Sequence, residues 1–150
     1  ILVQGGKVVC GTSCHCPNAP ESVLYRTRDG AIGIARTKSI TDGALPLSEI
    51  VWAVGGMGLL GNYSPATEGF TGAYSDVLRK TNHTALGYKG GMLYGVYCRS
   101  MTAAQVNAFC RDKLKLEKAI MLDGGHVAAI RGAASRINAG QKQFYAVKFV

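Results

Sequence analysis

Short apolar runs broken by turn residues recur along this chain. Ile1 to Val3 and Val8 to Cys10 are β-branched runs on either side of Gly5-Gly6, which predicts a hairpin. Cys14 to Glu21 carries two prolines and an asparagine and reads as a loop. Val23 to Thr27 and Ile32 to Arg36 flank Asp29-Gly30, a second hairpin. After a turn region from Thr41 to Pro46, Leu47, Ile50, Val51 and Val54 fall at helical spacing. Pro46 suits the first turn of a helix and Gly55-Gly56 its end, so a short amphipathic helix is predicted over Leu47 to Val54, with Trp52 as a packing anchor. Gly55 to Tyr74 is rich in Gly, Ser, Thr and Pro and reads as a long irregular stretch that includes Asn62, Tyr63 and Glu68.

The second half has clearer punctuation. Thr81 to Tyr88 and Met92 to Cys98 flank Lys89-Gly90-Gly91, a third hairpin. Thr102 is followed three positions later by Gln105, a capping-box pattern. Val106, Phe109, Cys110 and Leu114 then form an apolar stripe, and Lys113 and Lys115 sit at the end where cations favour the helix dipole. Ala119 to Leu122 is a short apolar strand, and Val127 to Ile130 and Phe144 to Val150 read as two more. By length and pattern, Met92–Cys98, Thr102–Leu114 and Ala119–Leu122 form a βαβ unit. The carboxyl ends of its two strands then share one sheet edge, where ligands favour parallel strands. Arg99 and Ser100 leave the first strand there, and Asp123-Gly124-Gly125 leaves the second.

Composition narrows the class. Apolar residues make up 47% and charged residues 17% of 150, which suits a packed single domain and argues against disorder. Twenty glycines, mostly between apolar runs, suit many short strands. No apolar run is long enough to span a bilayer. The first residue is Ile1 rather than Met, which points to a processed, cut or excerpted chain. The net charge of +8 points either to a solvated basic surface or to an anionic partner such as a phosphate-bearing glycan. The basic-plus-aromatic pattern of a nucleic-acid reader does not recur, so nucleic acid is not an expected partner.

Five cysteines leave at least one unpaired within the chain. Cys10, Cys14, His15 and Cys16 cluster, but Cys-x-Cys is not the usual zinc spacing and no second close pair follows, so no metal site and no cofactor is assigned. Cys98 and Cys110 lie on apolar faces and read as small core residues.

Asp123 is the residue at which chemistry is most legible. A carboxylate at a strand end can accept a sugar hydroxyl proton, bind a cation or act as a base. Two following glycines allow a sharp turn with amides free for an anion. Asp-Gly is also an ordinary hairpin turn, which spacing alone favours; the place at the end of a βαβ strand argues for a site.

Four segments carry a family resemblance. Trp52-Ala53-Val54-Gly55-Gly56-Met57-Gly58-Leu59-Leu60, His83-Thr84-Ala85-Leu86-Gly87-Tyr88, Met101-Thr102-Ala103-Ala104-Gln105 and Ala119-Ile120-Met121-Leu122-Asp123-Gly124-Gly125 resemble, in order and separation, segments of the phosphodiester glycosidases. The second resembles the family's R-T-A-I-G strand and the last its A-x-N-L-D-G-G hallmark. The resemblance is strongest from Lys80 to Arg131. It implies hydrolysis of a sugar 1-phosphodiester of the N-acetylglucosamine type. Asp123 and His83 would be the catalytic residues, and Thr84, Gly124, Gly125 and His126 would bind substrate, joined by Arg99 and Ser100 from their place at the same sheet edge. The pattern also departs from the family. His83 stands where the family has Arg, whose guanidinium grips phosphate with a rigid fork. His126-Val127-Ala128 stands where the family continues G-S-S, and the earlier N-G-x-F-F type motif lies outside this sequence.

The expected architecture is a single α+β domain over residues 1–150, with a mixed, mostly antiparallel sheet, two helices and one βαβ unit, lacking the family's N-terminal part. A glycan or sugar-phosphate ligand is expected, with a missing N-terminal segment or partner chain completing the site, at an extracellular or cell-surface location, virion surfaces included. Two functions stay open. One is a hydrolase-like domain that cleaves or binds a sugar 1-phosphodiester. The other is an inactive carbohydrate-binding or structural module of a larger cell-surface or phage tail protein.

Overall fold

The computed structural model describes residues 1–12, 20–61, 68, 75–132, 136–138, 140 and 147–148. The fold is a mostly antiparallel sheet with one long helix. Strands β1 (Leu2–Gln4) and β2 (Lys7–Cys10) form the first predicted hairpin, closed by Gly5 and Gly6 at φ of 55° and 75°. Both values lie in the left-handed region, which explains the glycine pair. Strands β3 (Glu21–Thr27) and β4 (Ile32–Thr37) form the second. The Asp29 carboxylate caps its turn, accepting from Thr27 Oγ1 at 2.5 Å and from Ala31 N at 3.2 Å.

The segment predicted as a helix from Leu47 to Val54 is instead strand β5 (Ile50–Gly58). Its apolar run is the pattern of a central strand covered on both faces, not of a helix stripe. β1 pairs with β5 from Trp52 to Val54 and β3 pairs with it from Ile50 to Gly56, both antiparallel. Gly55 and Gly56 do not end a helix; they let neighbours approach. A Cβ on Gly55 would lie 2.6 Å from Glu21 Oε1, and one on Gly56 would lie 2.5 Å from the Met121 carbonyl oxygen.

Strands β6 (Thr81–Lys89) and β7 (Met92–Met101) form the third hairpin around Gly90 and Gly91, again both at positive φ. A short helix, α1 (Ser75–Leu78), precedes them. Helix α2 (Ala103–Ala108) starts with the predicted capping box: Gln105 N donates to Thr102 Oγ1 at 3.3 Å and Thr102 N donates to Gln105 Oε1 at 2.9 Å. It continues through a wider turn, Phe109–Lys113, in which Leu114 N reaches back five residues to Phe109 O. Strand β8 (Lys118–Gly124) then inserts between β5 and β6, antiparallel to both. The strands flanking α2 are therefore not neighbours. β6 lies between β7 and β8, running against each of them, which leaves those two pointing the same way.

Beyond β8 the chain makes a single helical turn, Gly125–Val127, and a small arm of β9 (Ile130–Arg131) paired with β10 (Arg136–Ile137). The strand predicted from Val127 to Ile130 is thus a turn followed by a shorter strand. The predicted loop over Cys14 to Glu21 (Glu21 itself opens β3), Asn62, Tyr63, Tyr74 and most of the strand predicted over Phe144 to Val150 lie outside the described residues.

Three clusters hold the sheet. Val106 and Cys110 of α2 pack on Ala85, Cys98, Ala119 and Met121. On the opposite face Leu24, Leu86 and Ile120 meet, with Trp52 against them. Burying each of those three aliphatic side chains contributes roughly 1.5–3 kcal/mol. Val3, Val23, Ile50 and Ala53 form the third cluster, under the first hairpin. The net effect is to hold the start of β6 and the end of β8 side by side.

Candidate functional site

A cleft of about 260 Å³ opens at that edge. Its floor is the end of β8, from Met121 to Gly124, with Gly125, His126 and Val127 beyond. Its other wall comes from Val77, Arg79, Thr81 and His83. Asp123 is exposed at the cleft. His83 is only 1% exposed, and its two ring nitrogens differ sharply. Nε2 lies 3.3 Å from the Arg79 carbonyl oxygen. A carbonyl only accepts, so Nε2 carries the hydrogen of that contact, and in the neutral ring Nδ1 is a bare acceptor. Nδ1 is buried and has no hydrogen-bond partner among the described residues. A buried polar atom left in that state is costly.

Glycine is required beside it. A Cβ on Gly124 would lie 2.7 Å from the Asn82 carbonyl oxygen and 2.9 Å from His83 Nδ1. Gly125 is needed for a different reason, its φ of 63°. The two glycines of Asp-Gly-Gly therefore do separate jobs, close approach and reversal.

Thr84 does not line the cleft. Its hydroxyl donates to the Asp123 carbonyl oxygen at 2.7 Å, pinning the β8 end to β6. Arg99 and Ser100 reach the same edge, at the end of β7, but stand outside the cleft walls and are exposed. Ser100 has a positive φ of 53°, and its amide donates to Asn82 Oδ1 at 3.2 Å. Arg79 and Thr81 were not legible as site residues. The only signal for them is the basic pair Arg79-Lys80 immediately before a strand.

A larger groove, about 510 Å³, lies between α1, α2 and the end of β5. Met57, Leu59, Leu78, Ala103 and Ala108 line it, and among the described residues Arg111 is its only ionisable side chain. Asn107 spends its amide on the Leu59 carbonyl oxygen. This groove is the larger of the two, but Asp123, His83 and His126 line the smaller cleft.

Elsewhere one carboxylate is fully buried. Glu68 accepts from Ser22 Oγ at 2.5 Å and from Gly58 N at 2.8 Å. Burial raises its pKa above the ordinary 4.5, against these bonds and the charge of Arg36. It ties the region after β5 back to β3 and lies outside the cleft walls.

Comparison with known proteins bears on the fold. No protein-family model matches the chain, and no curated protein sequence matches it. Among solved structures, the catalytic domain of zebrafish N-acetylglucosamine-1-phosphodiester alpha-N-acetylglucosaminidase, auto-inhibited by its pro-peptide, superimposes with a TM-score of 0.65. At 20% identity the match covers 85% of this chain and 46% of that one. The two share a fold at a distance, and this chain spans less than half of that structure.

Proposed function

We propose that the cleft is a glycosidase-like site for a sugar 1-phosphodiester of the N-acetylglucosamine type. The observation that carries this is a carboxylate, Asp123, and a buried imidazole with a bare acceptor, His83, in the walls of one cleft, with Gly124 allowing the close approach of their strands. The distant fold likeness to a catalytic domain of that specificity supports the same reading. Asp123 takes a proton from the water that attacks the anomeric carbon. The bond from that carbon to the phosphate oxygen breaks, and positive charge develops on the sugar. Phosphate leaves as an already stable anion and needs less help from an acid than an alcohol would. Arg79, exposed at the cleft, offers a guanidinium for the phosphate, and His83 ties the start of β6 to the Arg79 carbonyl oxygen.

The test follows sugar release from an N-acetylglucosamine 1-phosphodiester by the protein and by Asp123→Ala and Asp123→Asn. Release that is lost in both variants supports the reading; a protein that releases no sugar overturns turnover. A second reading, binding without turnover in a module of a larger surface or tail protein, draws on Thr84. The hydroxyl of that residue is engaged by Asp123 backbone and is not free for substrate. Binding of the phosphodiester without release distinguishes this case.

A further inference from the structure

The arm beyond the cleft carries a charge arrangement that the fold does not need. Arg131 and Arg136 are direct partners across β9 and β10. Opposed residues of an antiparallel pair project from the same face, so both arginine side chains leave one face of the arm, where Arg136 Nε donates to Asn138 Oδ1 at 3.0 Å. Both residues are exposed, and among the described residues neither has a carboxylate partner. Like charges placed directly opposite one another destabilise a strand pair. The other pair of the arm, Ile130 and Ile137, points to the opposite face. The surrounding sequence offers no compensation: after Asp123 the chain contains Arg131, Arg136, Lys142 and Lys148 and no Asp or Glu.

The arm is also anchored at the cleft from both ends. It leaves from the Gly125–Val127 turn, and on its return Gly140 N donates to the His126 carbonyl oxygen at 2.6 Å. His126 lines the cleft. An anion that bridged Arg131 and Arg136 would relieve their repulsion, and paired guanidinium groups suit the oxygens of a phosphate.

We infer that the β9–β10 arm is a second phosphate-binding surface, and that the ligand is an extended glycan with repeating phosphodiester links whose next phosphate rests on Arg131 and Arg136. This rests on the reading of the cleft as a phosphodiester site. It explains why a like-charged pair is held on an arm anchored at the cleft.

The experiment compares binding of a monomeric N-acetylglucosamine 1-phosphodiester with binding of a polymer of such units. The proteins are the native form, Arg131→Gln/Arg136→Gln, and a control, Lys113→Gln/Lys115→Gln, which removes the same charge at the far end of α2. The native protein is expected to prefer the polymer, and the arm variant to lose about tenfold of that polymer-to-monomer ratio. The control keeps the ratio. A thermal melt checks folding, and the arm variant should melt no lower than the native protein, because a repulsive pair is gone. Equal affinity of the native protein for polymer and monomer would overturn the inference. So would an equal loss in the control, or a DNA duplex of matched charge that binds as tightly and is lost in the same way. Polymer binding that depends on the arm, with no monomer bound, would instead sink the reading of the cleft and leave the arm.

Discussion

Replacing Gly124 by alanine adds one methyl group and should disable the site out of proportion to its size. Gly124 has φ −133° and ψ −164°, ordinary extended backbone that alanine adopts freely. The cost is therefore purely steric. The new Cβ would lie 2.7 Å from the Asn82 carbonyl oxygen and 2.9 Å from His83 Nδ1. The first contact is with backbone in a paired strand and cannot rotate away. Overpacking of this kind costs about 1–3 kcal/mol, and an immovable neighbour places Gly124→Ala near the upper end, ~3 kcal/mol. Gly125→Ala is the matched control. Its Cβ meets nothing closer than Thr81 Oγ1 at 3.9 Å, but its φ of 63° is left-handed. That strain costs roughly 1–2 kcal/mol. Urea unfolding of both variants measures the order, and sugar release measures whether His83 has been displaced. Gly124→Ala should be the less stable of the two and should lose more activity. If it unfolds within about 0.5 kcal/mol of the native protein, the close packing of β6 on β8 at this point is refuted.

Other expectations follow from individual contacts. Thr84→Val removes the bond to the Asp123 carbonyl oxygen and should cost about 1 kcal/mol in denaturant unfolding, with a fall in sugar release. Glu68 has a raised pKa, so its contribution to stability is fullest below 4.5 and fades as pH rises through the raised value. Glu68→Gln should therefore flatten the fall in melting temperature between mildly acidic and neutral pH; an unchanged slope would show that Glu68 ionises as readily in the folded chain as in the unfolded one. Asp123 is exposed, so Asp123→Asn should melt with the native protein while sugar release collapses.

The hairpins were legible because their turns demand particular residues. Gly5-Gly6 and Gly90-Gly91 lie at positive φ, and the Thr102–Gln105 box is a local contact. What failed was the element whose logic is not local. Ile50–Gly58 has apolar residues on both faces because Ile50 and Ala53 pack into one cluster while Trp52 and Val54 pack into another, and that cover is invisible in a nine-residue window. Gly55-Gly56 reads as a helix end until Glu21 and Met121 are seen pressing on it. The site was half legible for a similar reason. Asp123-Gly124-Gly125 announces itself by residue type, whereas Arg79 and Thr81 reach the cleft through the path of the chain into β6. Thr84, Arg99 and Ser100 lie at the same sheet edge as Asp123, and none of them is among the residues that line the cleft.

The position of β8 sets an order on how this molecule is built. Among the described residues it is the last long strand, yet it sits in the middle of the sheet, between β5 and β6. Both neighbours, and the hairpins attached to them, can pair locally before it emerges. Until it docks, each presents an open edge to other chains. Asp123, Gly124 and half of the cleft arrive on that same strand. A population of chains can therefore hold most of its hairpins and no cleft, and competence for ligand becomes a direct report on the final docking step.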